Sequence, residues 1–426
     1  MKIGNLFKGD KVIWMVLLFL CLISVVEVFS ASSTLTYKSQ NYLGPIIGHS
    51  WKMLLGVGMA IVILNIPCRY FKLMTPGLLL ISVIMLIWVL FFGEKTNDAG
   101  RWISLMGLKF QPSEIAKGTL VLVTAQILSA MQRDNGADKR AFKYILIVVV
   151  PFCLLIGVEN LSTAALIFAV VFLMMFVGRV PMSQLGKLAA VAVVLVVLFI
   201  GSIYMLGSLD QNEESSETQT EAIVNGEIKK DTKKTTSFLH RFGTWKNRID
   251  KKLNSKHVSP ADYDLDKDAQ VAHANIAIVG SNIIGKGPGK SVERDFLPQA
   301  FSDFIYVIII EELGILGAAF VAFLYIVLLY RAARIASRCE NNFPAFLVMG
   351  LALMLVLQAS FNMLVAVGIA PVTGQPLPLI SRGGTSTIIN CAYIGAMLSV
   401  SRSAKKRGEK LALKEISFVI LHPNIV

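Results

Sequence analysis

Long apolar runs alternate along the chain with short polar connections, and the runs have about the 20 residues that a helix needs to cross the hydrocarbon core of a bilayer. Ten such runs predict ten transmembrane helices, over 12–31, 50–67, 73–92, 113–131, 143–157, 161–178, 187–206, 304–330, 343–368 and 384–401. The fifth is short, which leaves a partly re-entrant segment open. The first has Lys2, Lys8 and Lys11 ahead of it, as a secretory signal does, but its length and the nine runs that follow favour a retained signal-anchor. Only residues 207–303 break the rhythm with a long polar interval. The expected architecture is an all-α polytopic membrane protein. Residues 1–206 hold a cytoplasmic N-terminus and helices one to seven, and 207–303 form an extracytoplasmic loop between helices seven and eight. Residues 304–403 hold helices eight to ten, and 404–426 form a cytoplasmic tail.

Composition agrees with the pattern. Of 426 residues 54% are hydrophobic and 16% charged, against about 25% charged in an average soluble domain. The 207–303 interval holds 29 of the 69 charged residues. So little charge elsewhere excludes both a water-soluble fold and intrinsic disorder. The net charge of +13 would suggest nucleic acid in a soluble protein, but here it reads as topology. With the N-terminus inside, the cytoplasmic segments, together with Lys143 and Lys187 that open the fifth and seventh runs, carry 20 Lys and Arg and the short outer loops carry 5, as the positive-inside rule requires. Both termini are then cytoplasmic, and no nucleic-acid partner is expected. Cys21, Cys68, Cys153, Cys339 and Cys391 are scattered, without a CxxC pair or an HExxH motif, so neither a disulfide scaffold nor a zinc site is indicated.

The long loop is uneven. Residues 209–221 are acidic and read as flexible, whereas 229–256 are basic around Arg241, Trp245, Lys246 and Arg248 and suit anionic lipid head groups. Gln270 to Ile284 is apolar enough for the membrane interface. GKGPGKS (Gly285–Ser291) nearly matches a nucleotide-binding P-loop, but Ile284 stands where that pattern needs its first glycine. A cationic turn with Lys286 and Lys290 survives, suited to a phosphate or lipid head group.

Asp303 is the last polar residue before the eighth run. Three roles are open to it: a helix-capping carboxylate, a base for an acceptor hydroxyl, or the anchor of a divalent cation. Glu311 and Glu312 lie deeper, on other faces of the same helix, and structural ion pairing is expected of both. Glu114 and Lys117 are three apart and face one another on the fourth helix. Arg101, Trp102 and Lys109 precede them as a grip for an anionic amphiphile. In PVTGQPLPLISRGGTS (Pro371–Ser386) three prolines exclude regular helix, and Ser381, Gly383, Gly384, Thr385 and Ser386 form either a capping turn or an anion-binding nest.

In order, RWISLMGLKFQPSEIAK, GKGPGKS, LPQAFSDFIYVIIIEELG and PVTGQPLPLISRGGTS closely resemble the signature blocks of the SEDS family, the RodA and FtsW proteins of shape, elongation, division and sporulation. The resemblance covers residues 12–403. It implies a peptidoglycan glycosyltransferase that polymerises lipid II on the outer face of the bacterial cytoplasmic membrane. The partner implied is a class B penicillin-binding protein, within the other membrane proteins of the divisome or elongasome and among membrane lipids. The family's essential aspartate falls on Asp303, its Gln-Pro-Ser-Glu block on Gln111, Pro112, Ser113 and Glu114, its lysine and arginine on Lys117 and Arg101, and its Glu-Glu-Leu-Gly on Glu311–Gly314. Asn160 stands where the family has Asp, and Arg382 where a tyrosine is usual. The arginine tilts the resemblance toward the FtsW division branch.

Asp303 is therefore the expected catalytic residue, as base or as anchor of a cation, with no other cofactor expected. Arg101, Trp102, Lys109, Gln111, Glu114, Lys117, Lys286, Arg382 and Ser386 are the expected substrate-binding residues. A lipid II flippase and a non-catalytic scaffold for the transpeptidase are the alternatives.

Overall fold

The computed structural model describes residues 8–32, 44–96, 99–105, 108–221, 269–297 and 300–421. Each apolar run coincides with a helix. They are α1 (Lys11–Ala31), α2 (Gly44–Asn65), α3 (Cys68–Phe92), α4 (Pro112–Ala130), α5 (Lys139–Glu159), α6 (Leu161–Val177), α7 (Met182–Glu221), and, after the short outer helix α8 (Ala269–Val279), α9 (Ile305–Ala336), α10 (Asn342–Ala366) and α11 (Gly384–Leu421). Seven of these are long and apolar enough to cross a membrane: α1, α2, α3, α5, α7, α9 and α10. The fifth run is 21 residues long as a helix, because Asp138 caps it five residues upstream of Lys143, and it needs no re-entrant geometry. The sixth is the shorter one, with 17 residues.

Two compact units divide the chain. Met182–Leu265 is one, in which the described element is α7; Met1–Pro181 with Asp266–Val426 is the other and holds every site residue discussed below. In the larger unit α4 and α10 are the innermost pair. Helix α4 packs on α3, α5, α6 and α10, and α10 also packs on α6, α9 and α11. Helix α1 lies along α9, and Asp10 pairs there with Arg331 while also capping α1. Helices α2 and α11 meet through small residues. A Cβ added at Gly395 would lie 2.6 Å from the Ala60 carbonyl oxygen, and one at Gly56 would lie 2.9 Å from Cys391 Sγ. Gly56 and Ala60 on one helix thus face Cys391 and Gly395 on the other, each pair four residues apart, the spacing that lets membrane helices approach closely.

The structure departs from the expected all-α reading at residues 94–110. Strands β1 (Glu94–Thr96), β2 (Ala99–Leu105) and β3 (Leu108–Phe110) form an antiparallel sheet in which Glu94 faces Trp102 and Ile103 faces Phe110. Two-residue strands β4 (Gln132–Arg133) and β5 (Gly136–Ala137) make a hairpin before α5. Two helices run on past their apolar spans. Helix α7 continues through the acidic 209–221 segment, where flexibility is expected, and α11 continues to Leu421 through the expected tail. In the α11 extension Lys, Glu, Leu and Ala are strong helix formers that continue the helix beyond the spanning stretch. The basic 229–256 stretch lies outside the described residues.

Candidate active site

Between α10 and α11 the backbone of residues 371–377 is irregular and 378–380 form a turn. Irregular backbone within a membrane domain persists only where its polar groups find partners, and here four helices supply them. Ser162 of α6 donates to the Thr373 carbonyl (3.1 Å), Asn362 of α10 to that of Gln375 (2.8 Å), and Gln358 of α10 to that of Pro376 (3.0 Å). Tyr325 of α9 donates to Pro378, and Ser24 of α1 to Ile380 (2.6 Å), with His49 of α2 bonded to the same serine at 2.8 Å. Leu379, 2% exposed, holds φ at 67°, a conformation rare outside glycine. It turns the chain between two of the anchored carbonyls.

Asp303 stands against this segment. It lies two residues before the start of α9, whose N-cap is Phe304 and has no side-chain cap bond, so Asp303 is not the cap. Its Oδ1 accepts from Ser302 Oγ at 3.0 Å. Its Oδ2 faces Gly374, where an added Cβ would sit 3.5 Å away. Asn362 Nδ2 donates both to the Asp303 carbonyl (2.9 Å) and to that of Gln375, and so ties the aspartate to the irregular segment. Ser381 Oγ donates to the Ser302 carbonyl (2.6 Å), and the Arg382 amide donates to that of Phe301 (2.9 Å). The Arg382 guanidinium lies 5.2 Å from the centre of the Phe301 ring, a cation–π contact, and burial pulls its pKa down from the ordinary value.

Helix α4 reaches the same segment through a relay. Gln111 is its N-cap and Pro112 its first residue. Glu114 pairs with Lys117 (2.8 Å), and Lys117 donates to Gln358 Oε1 (2.7 Å), whose amide holds Pro376. Lys117 is fully buried, and Glu114 Oε2 has no hydrogen-bond partner. Asn160 caps α6 by accepting from the Thr163 amide at 3.2 Å, a role open to Asn as to Asp. With Gln111, Ser113 and Glu159 it lines a small pocket against α3. Lys109 is exposed on β3, and its carbonyl accepts from Thr385 Oγ1 at 3.3 Å. Trp102 is half-buried on β2, Ser386 is buried at the start of α11, and the Arg101 side chain lies outside the described set.

The glycine-rich loop is elsewhere, wrapped on Glu311 and Glu312. Lys286 Nζ reaches Glu311 Oε1 at 2.6 Å, and Ser291 Oγ reaches Oε2 at 2.5 Å. The amides of Gly289 and Ser291 donate to the Glu312 carboxylate at 2.9 and 3.1 Å, and that of Val292 donates to Glu311 at 3.1 Å. Ser30 of α1 also donates to Glu312, and Arg294 lies 3.8 Å from it. Lys286 is thus paired internally, away from the Asp303 group. Among the described residues no three His, Cys, Asp or Glu side chains cluster so as to hold a metal ion.

Sequence reasoning missed Asn362, Gln358, Ser24, His49 and Ser30. A signal for the first two exists: they are polar residues four apart within an apolar run, hence on one helix face. Glu27 of α1, fully buried with both carboxylate oxygens unbonded, was readable in the same way.

The family profile described as "cell cycle protein", which groups FtsW, RodA and SpoVE, matches residues 10–213 and 237–406. The chain is 29% identical over 404 residues to a protein of Aromatoleum aromaticum named "probable peptidoglycan glycosyltransferase FtsW", covering 91% of this chain and 87% of that one. It is 27% identical over 398 residues to the peptidoglycan glycosyltransferase MrdB of Escherichia coli K12, covering 93% and 94%. Among solved structures, it resembles a chain of a peptidoglycan synthase complex studied for polymerisation and crosslinking (TM-score 0.66, 24% identity, 93% and 99% covered). It also resembles the rod-shape-determining protein RodA of Thermus thermophilus (TM-score 0.60, 22% identity, 94% and 99% covered).

Proposed function

The chain belongs to the cell cycle protein family of FtsW, RodA and SpoVE, a family of multi-pass membrane proteins, and on that premise we propose that it is a peptidoglycan glycosyltransferase. Its substrate is lipid II, polymerised on the outer face of the bacterial inner membrane during division. Ten crossings follow from the ten apolar runs, and the distribution of Lys and Arg orients them with both termini inside and the 207–303 loop outside, which brings Asp303 to that face. A class B penicillin-binding protein is the partner that crosslinks the product. Relatives named as peptidoglycan glycosyltransferases, aligned over more than nine-tenths of the chain, support this reading.

The observation that carries the mechanism is the Asp303 carboxylate, half-buried, free of the capping role, and held against an irregular segment that four helices anchor. A carboxylate so placed accepts the proton of the acceptor sugar hydroxyl. The hydroxyl oxygen then bonds to the anomeric carbon of the donor strand, and the bond from that carbon to undecaprenyl pyrophosphate breaks. The leaving group departs as the pyrophosphate anion, so the donor already holds the driving force. Arg382, Lys109 and Arg101 are the cations proposed to meet that charge. Trp102 and Gln111 complete the substrate surface, and the buried Glu114, Lys117 and Ser386 support it from beneath, Lys117 through Gln358.

Three of the buried charges that would suit a transport path have internal partners: Lys117 pairs with Glu114, Glu311 with Lys286, and Glu312 with Arg294. This favours polymerase over flippase. With purified protein, the cognate penicillin-binding protein and lipid II, Asp303→Ala is expected to abolish glycan ladders while the complex still forms. Ladders of normal yield from that variant would reject the assignment.

A further inference from the structure

The Gly285–Ser291 loop has the chemistry of an anion cradle, and its anions are two carboxylates of the protein itself. Three backbone amides, the Lys286 ammonium and the Ser291 hydroxyl converge on Glu311 and Glu312. The backbone is exchanged at the same place. In a continuous helix the amides of Ile315 and Leu316 would donate to the carbonyls of Glu311 and Glu312. Here Gly314 has φ 70° and ψ −174° and interrupts α9. The Ile315 and Leu316 amides donate instead to Asn282 (3.4 Å) and Ile283 (3.2 Å), while the Glu311 and Glu312 carbonyls accept from Lys286 (2.9 Å) and Gly287 (2.8 Å). The chains cross so closely that a Cβ at Gly285 would lie 2.3 Å from the Glu312 carbonyl oxygen, and one at Gly314 would lie 2.4 Å from the Gly285 nitrogen.

Two consequences follow. The half-helix Ile305–Leu313, which Asp303 precedes by two residues, is hydrogen-bonded across the break through the glycine loop and through Tyr306, which donates to the Ala318 carbonyl (3.1 Å). The crossing also closes a loop, with 285–292 on one side and 311–316 on the other and Asp303 between them, and closing it reduces the freedom of everything it contains. Ser30 bonds to both Glu312 and Arg294 and ties the crossing to α1.

We infer that Glu311, Glu312 and Lys286 form a latch that positions Asp303 for the glycosyl transfer, and that Lys286 is a positioning residue rather than a ligand of the leaving pyrophosphate. The inference rests on the polymerase reading of Asp303. A latch acts on the chemical step through the order of the loop, since a misplacement of about 1 Å can cost about 100-fold in rate, so rate and loop protection fall together. A ligand of the pyrophosphate would instead change KM or kcat without loosening the loop.

The test uses the full-length protein with its penicillin-binding partner, lipid II as substrate, and hydrogen exchange on the same preparations. Lys286→Ala is expected to lower kcat by about tenfold or more with KM for lipid II within about threefold, and to speed amide exchange over 285–292. Lys286→Arg, which keeps the charge, is expected to recover most of the lost rate and protection. A raised KM at unchanged kcat would overturn the latch and make Lys286 a substrate ligand. Unchanged kcat despite lost protection would overturn it as well. Should Lys286→Ala not fold, the wild type decides: slow exchange at Gly287, Gly289, Ser291 and Val292 upholds the latch, and rapid exchange there overturns it. A wild type that makes no glycan yet protects these amides defeats the polymerase reading and leaves the latch standing as structure.

Discussion

Asn362 joins two backbone segments with a single amide group, donating to Asp303 on one and to Gln375 on the other. Removing it leaves two carbonyls short of a partner, each at about 1–3 kcal/mol when buried. Asn362→Ala is therefore expected to lower the thermal stability of the detergent-purified protein and to reduce glycan synthesis about tenfold. Wild-type synthesis from a folded Asn362→Ala protein would show that Asp303 does not depend on this tie. At this scale local spacing was informative and remote pairing was not. The Glu114–Lys117 pair could be read from a three-residue interval on a helix. The third member of that relay, Gln358, is 241 positions away, and although its spacing from Asn362 marks a polar face of α10, no local pattern pairs it with Lys117. Lys286 carries the same lesson. Its motif announces affinity for an anion, and only the fold says that the anion is Glu311.

Among the elements, apolar periodicity located the helices well and their ends less well. Their existence depends on burying or lipid-facing apolar side chains, whereas their ends depend on caps and on helix formers that need not be apolar. Asp138 thus lengthens α5, and α11 continues past its apolar part. The sheet over 94–110 escaped notice because its strands are at most seven residues long and lie between two helices. The interrupted helix α9 was also hidden, since a glycine within an apolar run is compatible with straight helix until another chain crosses it. The α2–α11 contact allows a direct test. Gly395→Val places a branched side chain where even a Cβ lies 2.6 Å from the Ala60 carbonyl oxygen, and overpacking of this kind typically costs about 1–3 kcal/mol. A lowered melting temperature is expected, whereas Gly58→Ala, with open space around it, is expected to change little. Equal losses from the two substitutions would argue against close helix packing at this point.

For the molecule as a whole, the relatives carry both the FtsW and the MrdB names at similar identity, so the division assignment calls for a cellular test. Depleting the protein from its host is expected to give filaments without septa. Rounded cells that still divide would place it in elongation instead. The sequence by itself determined that this is a membrane protein, where its helices run and which family it belongs to, and through that resemblance it pointed to Asp303 as the carboxylate to test. Those properties reside in local composition and in contiguous motifs, which survive without knowledge of the fold. Only the tertiary structure decided that residues 371–380 are held carbonyl by carbonyl by α1, α6, α9 and α10, that the glycine loop grips two glutamates, and that α9 is broken to admit it. The physical reason is the bilayer's lack of hydrogen-bonding partners. Backbone that leaves the helix there must be satisfied by whichever side chains the fold brings near, and those lie tens to hundreds of residues away along the chain.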